Sequence, residues 1–450
     1  MCARNEQKIR NKHNETTIIH ISCGVAVLSV GCSRDDARKS ILKVYNWADY
    51  IDESLLSEFE DWYFEQTGEK VEVVYQLFDI NEIMLAKIER GKEDFDVACP
   101  SEYIIERMLK NDLLLPINKD FGATPNYLGN VSPFILDVFD KIDGGDKNAN
   151  DYAVGYMWGT TGFLYNTKYV TSEEADTWNS LWDKKFEKKI LVKDAFRDVY
   201  SPLLIYANQE RIAKGEVTLD ELMHDASDES IAVVEGLLKR AKPNIAGWEA
   251  DFGKELMTKE KAWLNLSWSG DAAWAIEEAD AVDVQLDYVV PKEGSIVWFD
   301  GWVIPKYAKN IKAASYFINF MCMPKNAIRN MEEIGYVSVI GTPDVMEYMS
   351  ESAVEAGIKQ ASDLTYFFGE GADSVIINPV MYPDREVVER CGMMHDSGPR
   401  TEAMLAMWSR VKGDNLNNWM VVVIFAAVGM LLVVGVMRKM KKRRQRHRRL

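Results

Sequence analysis

Residues 42–110 read LKVYNWADYIDESLLSEFEDWYFEQTGEKVEVVYQLFDINEIMLAKIERGKEDFDVACPSEYIIERMLK, and the periodicities in this stretch decide the fold class. Leu42 to Asn46 is an apolar run of strand length. From about Glu53 it gives way to a stripe of Leu55, Leu56, Phe59, Trp62 and Tyr63, the spacing of an amphipathic helix, which stops near Gly68. Val71 to Tyr75 is the next strand. Asn81 to Glu89 is a second helix ending before Gly91, Phe95 to Ala98 a third strand, and Ser101 to Lys110 a third helix. This β-α-β-α-β-α rhythm predicts a parallel sheet with helices on both faces and right-handed crossovers. In such sheets ligands sit beyond the carboxyl ends of strands, where Asn46-Trp47 and Pro100-Ser101 fall.

Working outward, the chain turns loop-like after Pro116 and around Gly144 and Gly145, then resumes as an apolar stretch from Tyr152 to Tyr165. A second α/β region runs to about residue 300, with helical signals at Ser180 to Phe186 and Ile231 to Ala241 and strands at Lys189 to Val192 and Ala262 to Leu266. Val297 to Ile304 is strand-like, and from Ile311 the pattern is mostly helical. The expected architecture is α/β in two lobes, each a central sheet flanked by helices, joined by two crossover strands near 152–165 and 296–304. The expected boundaries are 41–155 with 302–343 for the first lobe, and 156–301 with 344–412, including C-terminal helices, for the second.

The 450 residues are 47% apolar and 11% aromatic, enough for two buried cores, and the formal charge is -17. The acid excess lies in the body, because nine Lys and Arg residues are gathered in 438–450. An acidic body repels nucleic acid and attracts cations. Cys99, Cys322 and Cys391 are odd in number and far apart, so neither a disulfide framework nor a Cys-x-x-Cys metal knuckle is indicated. Residues 1–32 read as an export leader: Lys8, Arg10 and Lys12 precede an apolar run from Ile18 to Gly31. Ser29-Val30-Gly31-Cys32-Ser33 resembles a bacterial lipobox and makes Cys32 a lipidation candidate, with ordinary cleavage or an uncleaved anchor as the alternatives. Residues 419–437 carry no charge and are followed by the basic run 438–450, which predicts a transmembrane helix with a cytoplasmic tail and a body on the periplasmic face of the inner membrane.

Acids and aromatic rings recur together at five predicted strand ends: Trp47-Ala48-Asp49-Tyr50, Ser101-Glu102-Tyr103, Asp194-Ala195-Phe196-Arg197-Asp198, Trp268-Ser269-Gly270-Asp271 and Trp298-Phe299-Asp300. Any one of them is a weak signal. A Trp after a strand is more often core than ligand wall, and an Asp there is more often a helix cap; Asp271 suits a helix beginning at Ala272. Together they suit an alkyl diamine. Its ammonium groups stay charged at neutral pH and each requires a carboxylate, while the methylene rod favours flat apolar walls. Acids flanked by tryptophans also describe a glycosidase cleft, but these acids lie on separate strand ends and no P-loop, Gly-x-Ser-x-Gly or His-Glu-x-x-His motif is present.

Val44-Tyr45-Asn46-Trp47 through Tyr50, Asp94-Phe95-Asp96-Val97 through Tyr103, Tyr156-Met157-Trp158-Gly159-Thr160-Thr161-Gly162, Trp268-Ser269-Gly270-Asp271, Pro291-Lys292-Glu293-Gly294 through Asp300, and Ile334-Gly335-Tyr336 resemble, in order, segments of the bacterial spermidine/putrescine-binding proteins. The resemblance runs from about residue 42 to 412. It implies a two-lobed periplasmic binding-protein fold of type II, no catalysis and no cofactor. It also implies a polyamine ligand, putrescine or spermidine, on which the lobes close, and docking to an ABC permease in the inner membrane. Carried over, Trp47, Tyr50, Trp268 and Trp298 would line a methylene channel closed by Tyr336. Asp300 would pair with the inner ammonium, Ser101 and Tyr103 would add hydroxyls, and Asp271 sits where putrescine-preferring members place a second acid. Asp198 and Asp194 would hold the far amine of a longer ligand, with the register at Asp194 shifted by one extra residue near Phe196. Met394, beside His395, stands where spermidine receptors use Gln, which leaves the choice of polyamine open.

Overall fold

The structure is a computed structural model and describes residues 38–413 apart from Asp251. β1 (Ile41–Trp47), β2 (Glu72–Phe78) and β3 (Val97–Ala98) are parallel, with β1 in the middle: Val44 faces Tyr75 on one side and Val97 on the other. Helices Ser54–Thr67, Asn81–Glu89 and Glu102–Lys110 supply the connections and the flanking layer. The first buries Leu55, Phe59 and Tyr63, one per turn, and Phe59 meets Phe317 and Phe320 of the later helix Ile311–Met321. It ends on Gly68 at φ 71°, the left-handed turn that a residue without a side chain adopts at least cost.

Two buried strands form the spine. β4 (Leu114–Leu115) lies at one end of it. β5 (Ala153–Asn166) and β10 (Ser295–Pro305) are antiparallel and buried along their whole lengths, the near-continuous apolar run expected of strands covered on both faces. Trp298 lies opposite Gly159 and Phe299 opposite Trp158, and the register shifts between Asp300 and Gly301. β5 then leaves β10, and Thr161–Tyr165 pair with β8 (Leu264–Trp268); β6 (Ile190–Lys193) and β7 (Ile245–Glu249) continue parallel beyond it. The path is β2-β1-β3-β10-β5-β8-β6-β7. β9 (Leu286–Val289) and β11 (Val337–Ser338) add to β5. β12 (Ala361–Ser362) and β13 (Val375–Ile376) pair with each other, and β14 (Cys391–Met393) lies parallel to the start of β10. The spine strands fall on the two stretches read as crossovers. They link one group of strands, β1 to β4 with β11, to a second, β6 to β9 with β14.

Three expectations are corrected. Ser180 to Phe186 is not a continuous helix but two 3-10 turns, Trp178–Trp182 and Lys184–Phe186, because Asp183 is extended and its side chain accepts from Lys185 N to start the second. The helix expected from Ala272 begins at Ser269, which puts Asp271 in its first turn rather than at its cap. The third correction concerns the fold class, which included a C-terminal membrane span. Among the described residues no helix is long and apolar enough to cross a membrane. The last one, Thr401–Gly413, carries Glu402, Arg410 and Lys412 and packs Met404, Met407, Trp408 and Val411 into the core. The segment 419–437, the tail 438–450 and the leader with Cys32 lie outside the described residues.

Candidate functional site

β10 presents Trp298 and Asp300 on one side of the strand, two residues apart. Asp300 is buried, and hydroxyl groups bind both of its oxygens: Tyr50 Oη donates to Oδ2 at 2.8 Å and Ser101 Oγ to Oδ1 at 2.6 Å. Tyr50 arrives through the loop after β1, which turns back at Asp49 with φ 50°. Ser101 occupies the cap position of helix Glu102–Lys110 yet leaves the helix uncapped, giving its hydroxyl to Asp300, to which its backbone also bridges. Asn81 fixes that hydroxyl, its Nδ2 lying 3.0 Å from Ser101 Oγ and 2.9 Å from Tyr103 Oη. No basic side chain hydrogen-bonds Asp300 among the described residues. Burial pushes its carboxyl up to about 6 against the pull of the two hydroxyls, and the charge of Asp198 adds to the rise.

Aromatic rings close over this acid. Tyr336 packs edge-to-face on Trp298 with centroids 5.6 Å apart and on Tyr50 at 5.3 Å. Both rings rest on glycines that admit nothing larger: a Cβ on Gly159 would lie 2.5 Å from the Trp298 indole, and one on Gly270 would lie 2.5 Å from the Tyr336 ring. Tyr336 Oη donates to Asp271 Oδ1 at 2.9 Å and so ties the end of helix Pro324–Ile334 to the start of helix Ser269–Asp280.

A second acid lies on the far side. Asp198, in the first turn of helix Phe196–Ala207, accepts from Trp268 Nε1 at 2.7 Å, and burial pushes its carboxyl up to about 6. Asp271 is different. Lys193, the last residue of β6 and only 1% exposed, donates to Asp271 Oδ2 at 2.6 Å and to the Ala250 carbonyl at 2.6 Å, lies 3.2 Å from Glu249, and stands 4.3 Å above the Trp268 ring. Lys254 is 3.3 Å from the other oxygen of Asp271. Although burial opposes ionisation, Lys193 and Lys254 hold Asp271 below the usual carboxylate range. Among the described residues the site thus contains two acids with no ion pair, Asp300, which the charge of Asp198 raises, and Asp198, which the charges of Lys193 and Arg197 lower against its burial, and one acid that the chain neutralises itself.

The structure links Tyr50, Ser101, Trp298, Asp300, Tyr336 and Asp271 through direct contacts, and adds Tyr103 by way of Asn81 and Trp268 and Asp198 by way of Lys193. Trp47 lies at the edge, half-buried with its ring 4.5 Å from Phe78. Asp194 does not join the group. Its carboxylate faces the C-terminal helix, accepting from Trp408 Nε1 at 3.1 Å and pairing with Lys412 at 2.5 Å. The cause is local: the helix begins at Phe196, so Asp198 takes the inward position of the first turn and Asp194 stays outside. Met394 is buried, and His395 beside it hydrogen-bonds Glu106. The sequence reading missed Lys193, Asn81 and Arg197, whose guanidinium lies 4.4 Å from the Tyr103 centroid and 3.6 Å from Glu82. Lys193 left one signal, a lone charge closing the apolar strand Ile-Leu-Val-Lys.

The model of the bacterial extracellular solute-binding protein family matches residues 55–354. The chain is 30% identical to the spermidine/putrescine-binding periplasmic protein of Salmonella typhimurium over 312 residues, 69% of this chain and 80% of that one. It is 26% identical to a putrescine-binding periplasmic protein of Escherichia coli over 400 residues, 86% of this chain and 95% of that one. The fold is similar to that of a spermidine/putrescine ABC transporter substrate-binding protein from Streptococcus pneumoniae, with a TM-score of 0.61, 29% identity, and coverage of 83% of this chain and 98% of the other. The paired spine strands, the strand-end acids and these likenesses lead to one conclusion: the chain belongs to the bacterial extracellular solute-binding proteins, among the spermidine/putrescine-binding members.

Proposed function

We propose that this protein is the extracytoplasmic receptor of a polyamine ABC importer, holding putrescine or spermidine between two lobes and passing it unchanged to a permease. Asp300 carries the proposal: it is a buried carboxylate with a hydroxyl on each oxygen, no basic partner among the described residues, and an aromatic roof of Trp298 and Tyr336. Such a group is stabilised by a cation that shares the cavity, and an alkylammonium supplies both the charge and the apolar stem. In this assignment Asp300 pairs with one ammonium and Asp198 with another, while Trp298, Trp268, Tyr50 and Tyr336 wall the methylenes, with Trp47 at the rim and Ser101 and Tyr103 as hydroxyl contacts. The lobes are residues 41–155 with 302–343 and 156–301 with 344–412. Closure brings Asp300 and Asp198 together, and the ligand's charges offset their repulsion, so the closed form is favoured when filled.

Asp300→Asn leaves one ammonium buried without its charge partner. The expected loss is roughly 2–5 kcal/mol of binding free energy, ~30-fold or more in Kd, for both polyamines by calorimetry. A thermal-shift series of putrescine, cadaverine, spermidine, spermine, agmatine and neutral sugars tests the ligand class. Stabilisation by a sugar and by no amine overturns it.

A further inference from the structure

Away from the cleft, two histidines and a buried glutamate from distant chain segments converge where the two strand groups meet. Glu106 lies on helix Glu102–Lys110, whose preceding residue Ser101 hydrogen-bonds Asp300. His224 follows helix Leu219–Met223, and His395 follows β14. The chain has five histidines, and these are the two within the described residues. Their rings stack with centroids 3.7 Å apart and planes 19° apart. His395 Nδ1 lies 2.8 Å from Glu106 Oε2. One donor atom from each of Glu106, His224 and His395 falls within 4.8 Å of the others.

We propose that Glu106, His224 and His395 bind a divalent cation of the zinc class, which staples the two lobes together and thereby strengthens ligand binding in the cleft. The remaining nitrogens of both imidazoles are already engaged by one residue: His224 Nδ1 is 2.9 Å from the Asp220 carbonyl, and His395 Nε2 is 3.3 Å from the Asp220 carboxylate. Outer partners of this kind set ring orientation and tautomer in histidine-ligated sites, and they leave His224 Nε2 and His395 Nδ1 as the nitrogens available to a metal. Lys110 takes Glu106 Oε1 at 2.8 Å, and Oε2, which now meets His395 Nδ1, is the oxygen a metal inserted between the two would take. An ion pair between His395 and Glu106 alone has no use for a second imidazole stacked on it from another segment. Donors on a tetrahedral zinc stand about 3.3 Å apart, given bonds of about 2.0–2.1 Å. Reaching that spacing replaces the direct 2.8 Å contact between His395 Nδ1 and Glu106 Oε2 with bonds to the ion, and His224, which is 43% exposed, has room to adjust to it. Two imidazoles with one carboxylate suit zinc and its neighbours rather than calcium or magnesium, which prefer all-oxygen shells. A cation held by Glu106 on one side and by His224 and His395 on the other favours the closed arrangement, as a ligand in the cleft does, so the two reinforce each other reciprocally.

The test is calorimetric titration of the full-length, untagged chain with Zn²⁺. One ion per chain is expected, with Ca²⁺ and Mg²⁺ failing to compete and binding at least ~10-fold weaker in His224→Ala and Glu106→Gln. His224 is at the surface, so its replacement leaves the core intact. Co²⁺ in place of Zn²⁺ should give a tetrahedral visible spectrum that disappears in His224→Ala. Absence of stoichiometric Zn²⁺ binding, or binding unchanged in His224→Ala, overturns the site. Saturating Zn²⁺ should lower the Kd for putrescine by ~5-fold or more, and an unchanged Kd overturns the lobe-bridging role. The zinc titration needs no polyamine, so failure of the polyamine assignment and failure of the cation site are told apart.

Discussion

Three aspartates share the cleft region, Asp271 and Asp300 buried and Asp198 partly so, and their neighbours separate them. Asp300 and Asp198 are pushed up to about 6 by burial, whereas Asp271 lies low because Lys193 and Lys254 stand beside it. Asp300 and Asp198 are therefore the two acids of the three that no side-chain cation pairs among the described residues. Lys193→Gln removes the internal cation and leaves Asp271 with Lys254 and the Tyr336 hydroxyl. Asp271 then has one cation in place of two, and a triamine gains more from it than a diamine. Spermidine should improve relative to putrescine by ~10-fold, read as the ratio of the two Kd values by calorimetry. The unliganded variant should also melt lower, since breaking a buried ion pair costs about 3–5 kcal/mol. A ratio that stays at the parent value means that the ligand does not sense Asp271. Nothing in the sequence pattern distinguishes Asp271 from Asp300. Both follow a tryptophan near a strand end, and the lysine that separates them lies on a different strand.

At the scale of elements, the parallel unit β1 to β3 was legible because each strand and helix repeats its own period and ends at a Gly or Pro signal, as at Gly68. The spine strands were legible for a different reason: only long, wholly apolar runs survive burial on both faces. What escaped was set by tertiary pairing. The register shift after Asp300 coincides with the bridge from Ser101, a partner 199 residues away. The position of Asp194 followed from where a helix starts, which the extra residue near Phe196 obscured. Close helix-to-ring packing was equally hidden, since a glycine in a motif does not reveal what lies above it. Gly270→Ala tests that packing. The added methyl meets the Tyr336 ring at 2.5 Å, and the ring must tilt or helix Ser269–Asp280 must shift. Overpacking of this kind costs about 1–3 kcal/mol. Because the displaced ring roofs Asp300, polyamine affinity should fall by ~10-fold while the far-ultraviolet circular dichroism stays that of the parent. Parent affinity in the variant argues that Tyr336 does not close the channel.

The two raised carboxyls tie ligand binding to proton release. In the unliganded protein Asp300 and Asp198 both titrate near 6, above the usual value of about 3.9 for an aspartate in an unfolded chain. Between about pH 4 and 6 the folded state therefore holds more protons at these two sites than the unfolded state does. Their contribution consequently makes the empty receptor more stable as pH falls through 6, and this gain is complete near pH 4. Ligand binding runs the other way, because an ammonium pairs with the ionised acid and must displace each proton. One unit below the folded value about nine-tenths of each carboxyl is protonated, so affinity should fall by ~10-fold per acid and up to ~100-fold in all between pH 7 and pH 5. The amines themselves stay charged throughout, so the slope reports on the receptor. Calorimetry with putrescine at half-unit intervals of pH measures it directly, and Asp300→Asn should remove about half of the slope on a logarithmic scale. Affinity that is level from pH 7 to 5 would mean that the two acids are ionised before the ligand arrives, so that binding displaces no proton from either.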